Sequence, residues 1–299
     1  MGTGAVVIFV TLLVFVLHAT MAIFGKKPNL EKERIAQLKK EIAVLKQVRD
    51  VQKLKIAEQK RQLQEYWALN VPKELDYNAD ALCVWAKNLE FLKEPRFQQA
   101  YQRGIKSGQK IGGELNRDIH IEWRVHVAVW AATHALRLKG DFVECGVNTG
   151  VLSLAICQYV DFNRSGKQFF LFDTYCGIPE EQLEHSTGNT IYEECYDMVK
   201  GNFAAFTGAK LVRGMIPESL SFENIGDVSY LSIDLNNSTA EVAAIEFFWP
   251  KLVVGGVVLL DDYGWREAHV QKTALDQFAK SVKAEILTLP TGQGLLLKA

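Results

Sequence analysis

Asp141-Phe-Val-Glu-Cys-Gly-Val-Asn-Thr-Gly150, continued by Val151-Leu-Ser-Leu154, is the stretch that decides how the chain is to be read. A short apolar run, Phe142-Val143, leads into the carboxylate of Glu144, then into a loop bounded by Gly146 and Gly150, then into a helical pattern. Glycines in such a loop let a ligand approach the backbone, and the helix that follows offers unpaired N–H groups in its first turn. A nicotinamide-binding fold would supply G-x-G-x-x-G, and Cys145-Gly-Val-Asn148 lacks its paired glycines. Glu144, just before the loop, suits instead a cationic ligand carrying an amino group.

The same arrangement recurs downstream. Phe169 to Phe172 leads into Asp173, Lys210 to Val212 gives a third strand, Tyr230 to Ile233 leads into Asp234, and Val257 to Leu260 leads into Asp261-Asp262. Helical segments separate these runs, which predicts an α/β fold: a Rossmann-like, mostly parallel sheet with helices on both faces. The close of the chain, Glu285-Ile-Leu-Thr-Leu289, Pro290-Thr-Gly-Gln-Gly294 and Leu295-Leu-Leu297, predicts a terminal antiparallel hairpin. Residues 78 to 140 read as helical, ending in an apolar-periodic stretch from Ile121 to Leu138.

Ligands of such sheets bind outside the carboxyl ends of the strands, where Glu144, Asp173, Asp234, Asp261 and Asp262 all point. Asp173 is placed to accept both hydroxyls of a ribose. Neighbouring strand ends lie about 5 Å apart, so Asp234, Asp261 and Asp262 crowd one small volume. Their repulsion is relieved by a cation, and hard oxygen donors favour Mg²⁺ or a similar ion. Such an ion would lower the pKa of a substrate hydroxyl. One of the aspartates or a metal-bound water accepts the proton, and Asp234 is the candidate catalytic residue.

The N-terminal quarter has a different character. Ala5 to Phe24 contains no Asp, Glu, Lys or Arg, and about 20 apolar residues match a bilayer core. Lys26, Lys27, Lys32 and Arg34 follow it, which by the positive-inside rule predicts a single-pass membrane protein with its catalytic part in the cytosol. From Pro28 to Tyr66 good helix formers dominate. In heptads, Ile35, Ile42, Arg49, Ile56 and Leu63 take the a positions, with Leu38, Leu45, Gln52, Gln59 and Tyr66 at d. Ile at a with Leu at d favours a parallel homodimeric coiled coil, although a single charged spacer helix fits the pattern too. The expected organisation is an anchor over residues 1–25, a basic stalk over 26–75 and a catalytic domain over 76–299.

Residues 26 to 66 hold twelve Lys or Arg against six Asp or Glu, so with a net charge of −1 the rest of the chain is acidic. That argues against a catalytic body built to grip nucleic acid. Five cysteines with no C-x-x-C pair fit a reduced setting better than a disulfide framework.

Five blocks resemble the macrocin O-methyltransferase family, in order: DFVECGVNTG, FLFDTYCGIPE, LVRGMIPESL, SIDLNNSTAEVAAIEFFWPKLVVGGVVLLDDYG and the closing PTGQG. The resemblance covers roughly residues 120 to 299 and implies a class I methyltransferase fold with S-adenosylmethionine as cofactor. It implies cofactor contacts from Glu144, Cys145, Gly146, Val147, Gly150, Asp173, Thr174 and Gly177, and Mg²⁺ held by Asp234, Asp261 and Asp262. It further implies methylation of a sugar or glycan-type hydroxyl, here near a membrane. The family's usual I-D-G-D-x-Y is replaced by Ile233-Asp-Leu-Asn-Asn237. Cys176 to Lys200 is a candidate lid over the acceptor. The competing readings are a small-phenol O-methyltransferase and a non-catalytic membrane-tethered scaffold.

Overall fold

The computed structural model describes residues 28–70, 74–179, 182 and 192–299. It divides into two compact units, one ending at Lys73 and the other running from Glu74 to Ala299.

In the first unit, α1 (Pro28–Asn70) is one continuous helix of 43 residues. Proline at its first position suits a helix start, and no glycine or further proline interrupts it. Arg61 pairs with Glu58 at 2.7 Å and Glu65 at 2.5 Å, one turn away on either side. Such exposed pairs contribute only about 0.3–0.5 kcal/mol each. In the single chain, Leu45, Ile56, Leu63 and Tyr66 of the heptad positions are exposed.

The expected membrane placement is corrected here. Among the described residues no helix is long and apolar enough to cross a membrane, because α1 is charged along its whole length. The stretch Ala5 to Phe24 lies outside the described residues. The predicted single-pass placement thus finds no membrane-spanning helix among the described residues.

The second unit carries the alternating pattern. Its strands are β5 (Asp141–Cys145), β6 (Phe169–Asp173), β7 (Ala209–Arg213), β8 (Val228–Ile233), β9 (Leu252–Leu260), β10 (Leu287–Thr288) and β11 (Gly294–Leu297). They form a seven-stranded sheet in the order β10-β11-β9-β8-β5-β6-β7. The five strands from β5 to β9 are mutually parallel, and the terminal hairpin is antiparallel. Alternation along each strand divides the core in two. Phe142, Phe169, Leu171, Tyr230 and Leu259 pack under α2 (Pro95–Ile105), α3 (Glu122–Ala135), α4 (Val151–Tyr159) and α5 (Tyr196–Phe203). Val143, Phe170, Leu231 and Val258 pack under α6 (Ser238–Phe248) and α7 (His269–Ser281). The order reverses beside β5, whose neighbours are β6 on one side and β8 on the other. A crevice opens at such a switch point, at the carboxyl ends of the strands.

Residues 78 to 140 are not helical throughout. Two hairpins interrupt them: β1 (Tyr77–Ala79) with β2 (Leu82–Val84), and β3 (Lys110–Ile111) with β4 (Glu114–Leu115). Asp80 and Ala81, at φ 50° and 56°, form the two-residue turn of the first. Backbones of that kind reverse a strand and end any helical pattern. The first hairpin brings Asp80 to the crevice.

Candidate active site

A cavity of about 330 Å³ lies at the crevice, and Glu144, Gly146, Val147, Asp173, Thr174 and Gly177 line it. Cys145 and Gly150 do not. Strand alternation turns Cys145 into the opposite core, among Val143 and Ile233. Gly150 starts α4 at φ 94°, and a side chain there would strike the Phe203 ring.

The loop is held from several sides. Gly146 N–H donates to the Phe172 carbonyl at 2.8 Å, and Asp234 N–H donates to the Cys145 carbonyl at 2.8 Å. Thr149 and Ser107 share a buried hydroxyl hydrogen bond of 2.7 Å, and Asn202 Nδ2 donates to the carbonyls of both residues. Gly146, at φ 90°, lies so close to the Asp234 carbonyl that a Cβ would overlap it. The cofactor loop and the strand that carries Asp234 therefore touch backbone to backbone.

Asp173 does a job that its expected contact to ribose does not describe. Its Oδ2 accepts the N–H groups of Val147 and Asn148 at 2.7 and 2.8 Å, and its Oδ1 accepts that of Tyr175 at 2.6 Å. A carboxylate offers about four acceptor directions, so most are spent tying the first loop to the second. Thr174 Oγ1 donates to the Gly177 carbonyl at 2.6 Å and closes that second loop.

Glu144 is buried, and its Oε2 has no hydrogen-bond partner. An orphaned carboxylate oxygen beside a glycine cradle fits a ligand bearing an ammonium group. Burial, with the negative charges of Asp261 and Asp173, pushes the Glu144 carboxyl up to about 8. Because the folded protein then holds this proton more tightly than the unfolded chain, the stabilisation is complete below the unfolded value. It is lost as pH rises through about 8. Glu144→Gln should remove that loss, raising the melting temperature of the ligand-free protein at pH 8 by roughly 5–10 °C while weakening cofactor binding. Melting curves from pH 5 to 9 test this; identical pH profiles for the two proteins would refute it.

The acids at the ends of β8 and β9 do line one volume, as expected: Asp234, Asp261 and Asp262 all face the cavity. They do not face it alone. Arg124, on the first turn of α3, donates from Nε and Nη2 to the two oxygens of Asp80 at 2.7 and 2.8 Å. Its Nη1 donates to Asp261 Oδ2 at 2.7 Å, and its guanidinium lies over the Trp265 ring, 4.9 Å from the centroid. The other oxygen of Asp261 accepts from Gln293 Nε2 at 3.0 Å. Gln293 is itself fully buried in the PTGQG turn and oriented by the Thr291 hydroxyl. Burial works against the charge of Arg124, but Asp261, Asp80 and Asp262 outweigh it and hold the guanidinium protonated. Burial, then Asp261 and Asp262, push Asp234 well above the usual carboxylate range; burial and Asp261 lift Asp262 to about 7.

A three-carboxylate metal site fits this arrangement poorly, because the Arg124 guanidinium already lies 2.7 Å from Asp261 Oδ2 and supplies positive charge there. Among the described residues, the group whose ligand atoms lie within 4.8 Å of one another is Asp118, His120 and Glu122. It lines a different cavity and is bonded to Tyr101 and Tyr77.

Of the candidate lid, Glu180, Glu181 and His185 lie outside the described residues. Its described ends are tied down. Gln182 Nε2 donates to the Ile216 carbonyl at 2.7 Å, Glu194 pairs with Arg213 at 2.6 Å, and the Tyr192 hydroxyl accepts from Asn236 at 3.5 Å.

Sequence reasoning missed Arg124, Asp80 and Gln293. Arg124 did leave a trace. It falls between Ile121 and Ala128, both buried, at a spacing that puts it on the inward face of α3. A charge in a core stripe demands a partner. Asp80 left none, since its turn carries no glycine.

The family model described as Macrocin-O-methyltransferase (TylF) matches residues 126–289, more than half of the chain. No curated protein matches. Among solved structures, the O-methyltransferase NovP superposes with a TM-score of 0.54 at 18% identity, over 66% of this chain and 88% of its own. The calicheamicin methyltransferase CalS11 does so with 0.49 at 14%, over 76% and 98%. The first of these is a likeness of fold.

Proposed function

Because the chain belongs to the macrocin O-methyltransferase family, and is with it an S-adenosylmethionine-dependent O-methyltransferase, we propose that it methylates a hydroxyl of a sugar or glycan-type acceptor. The observation that carries this reading is the apposition of two halves of one cavity. The glycine loop with Glu144 and Asp173 forms one half, and Asp234 and Asp262 form the other. Gln109, Gln182, Tyr192 and Asn236 add hydrogen-bonding groups to a lining that also carries apolar side chains such as Ile119, Ile178 and Ile216. A ring with several hydroxyls uses such groups, whereas a flat phenol is better served by an apolar slot.

When bound, S-adenosylmethionine supplies an electrophilic methyl group on its sulfonium. Gly146 and Val147 give the backbone surface against which the cofactor lies, and Glu144 receives its amino group. Asp173 holds the first loop in shape and offers its remaining acceptor capacity to the ribose. Thr174 and Gly177 form the second wall. Asp234 takes the proton of the acceptor hydroxyl at its carboxylate, with Asp262 beside it to orient the same hydroxyl. Positioning and proton removal together are the chain's own contribution to rate.

Asp234→Asn should lower kcat by roughly 100-fold or more and leave cofactor affinity within about threefold. Turnover and calorimetric titration on the same preparation check both. A variant with full turnover would remove Asp234 from the mechanism. Acceptor class is read with radiolabelled cofactor against glycosides and catechols, and methylation of catechols alone would overturn the sugar assignment.

The helix Pro28–Asn70 is proposed to pair in parallel with that of a second copy along Ile35, Leu38, Ile42 and Leu45. Cross-linking of the full chain that yields monomer alone would refute this.

A further inference from the structure

We infer that the acidic cluster of this enzyme is neutralised by Arg124 in place of a divalent cation, so that the reaction centre works without a metal. The inference rests on the methyltransferase reading for the location of the chemistry, but its deciding test, Mn²⁺ binding, is read without turnover.

Four aspartates line the cavity: Asp234, Asp261, Asp262 and Asp80. Groups so close and so little exposed need positive charge among them, supplied by an ion, a proton or a side chain. The side chain is present. Arg124 is 16% exposed, Asp80 12% and Asp261 7%, and three short charge-assisted bonds join them. The guanidinium fork spans two carboxylates from different elements, a geometry that the single ammonium of lysine does not match.

Asp261 keeps free lone pairs, but any ion taking them meets a carboxylate whose Oδ2 already holds the Arg124 guanidinium at 2.7 Å. Keeping Arg124 in place sets its charge against a dication across a few ångströms. Releasing it leaves the guanidinium bonded to Asp80 alone. Both routes are unfavourable, and no other carboxylate replaces Asp261 at the end of β9 except Asp262, already its neighbour. The positive charge is thus placed once, by the fold, through the β1–β2 hairpin and α3.

The experiment is a Mn²⁺ titration of the full chain followed by electron paramagnetic resonance, with wild type, Asp262→Asn and Arg124→Gln side by side. Asp262→Asn separates the active site from Asp118, His120 and Glu122, which it leaves intact. Wild type is expected to bind no Mn²⁺ that Asp262→Asn fails to bind. Folded Arg124→Gln is expected to gain a site at least tenfold tighter than anything in wild type, since it frees an oxygen of Asp261 and removes the competing cation. Chelation should leave wild-type turnover within twofold. Tight Mn²⁺ binding by wild type that disappears in Asp262→Asn would overturn the inference, as would a folded Arg124→Gln that gains no site. Should circular dichroism show Arg124→Gln unfolded, the comparison of wild type with Asp262→Asn decides alone. A preparation that fails to bind S-adenosylmethionine would count against the methyltransferase reading, not against this one.

Discussion

Arg124→Leu is expected to destabilise the catalytic unit by about 3–5 kcal/mol. Leucine fills part of the space but leaves Asp80 and Asp261 buried without a counter-charge at the two ends of a broken bridge. The cost comes from these stranded acids, not from the intrinsic strength of the pair. Replacing a whole buried ion pair with apolar groups is often neutral, whereas removing one member is not. A second substitution should therefore recover stability. Asp80→Asn on the Arg124→Leu background is expected to return a measurable part of the loss, the sign of coupling between neighbouring sites. Urea denaturation of the four proteins in the cycle measures it. A loss under 1 kcal/mol for Arg124→Leu, or strict additivity with Asp80→Asn, would show that the bridge contributes little.

Gly146→Ala should have an effect of similar size for a different reason. The residue sits at φ 90°, where an alanine is strained, and the new Cβ would overlap the Asp234 carbonyl. Backbone strain of this kind costs about 1–3 kcal/mol, and relieving the overlap must part β5 from β8 at their carboxyl ends. That movement carries away both the N–H of Asp234 bonded to Cys145 and the loop that cradles the cofactor. Cofactor affinity is therefore expected to fall at least 100-fold, and turnover to fall beyond what saturating cofactor restores, because Asp234 has moved too. If saturation fully restores kcat, the loop and the catalytic strand are independent and the contact between them is incidental.

Much of the sheet could be read from the chain because its physics is local. A buried parallel strand must be apolar along its whole length, and at its carboxyl end the first polar residue meets the ligand. Phe169 to Asp173 follows that rule, and Tyr230 to Asp234 does so apart from the buried Ser232. The terminal hairpin announced itself through Gly292 and Gly294 between apolar runs. The small hairpins did not, because strands of two or three residues have no period to detect. Asp80-Ala81 makes its turn with left-handed backbones on residues that seldom take them. In the site, residue type revealed which groups were acidic but not what they were bonded to. Asp173 fell on the expected strand end, yet its bonds run mostly to Val147, Asn148 and Tyr175. The three aspartates line one cavity, but the counter-charge of Asp261 comes from Arg124, 137 positions earlier in the chain, and its other partner, Gln293, lies 32 positions later. No local pattern encodes such partnerships, since they are decided by how α3 and the PTGQG turn pack.

The β1–β2 hairpin also bears on how this protein can be cut and recombined. The matched region of the family begins at residue 126 and ends at 289, so Asp80, Arg124 and Gln293 all fall outside it. A shortened chain starting at residue 86 would keep the entire seven-stranded sheet and every acid at its rim. It would nonetheless lack Asp80, one of the two anchors of the guanidinium. A chimera joined at the family's borders would inherit the acids from one parent and their neutralising partners from the other. Its charge balance would then depend on whether the donor carries an arginine and a glutamine at the same two flanks, a compatibility to be checked before any exchange of domains.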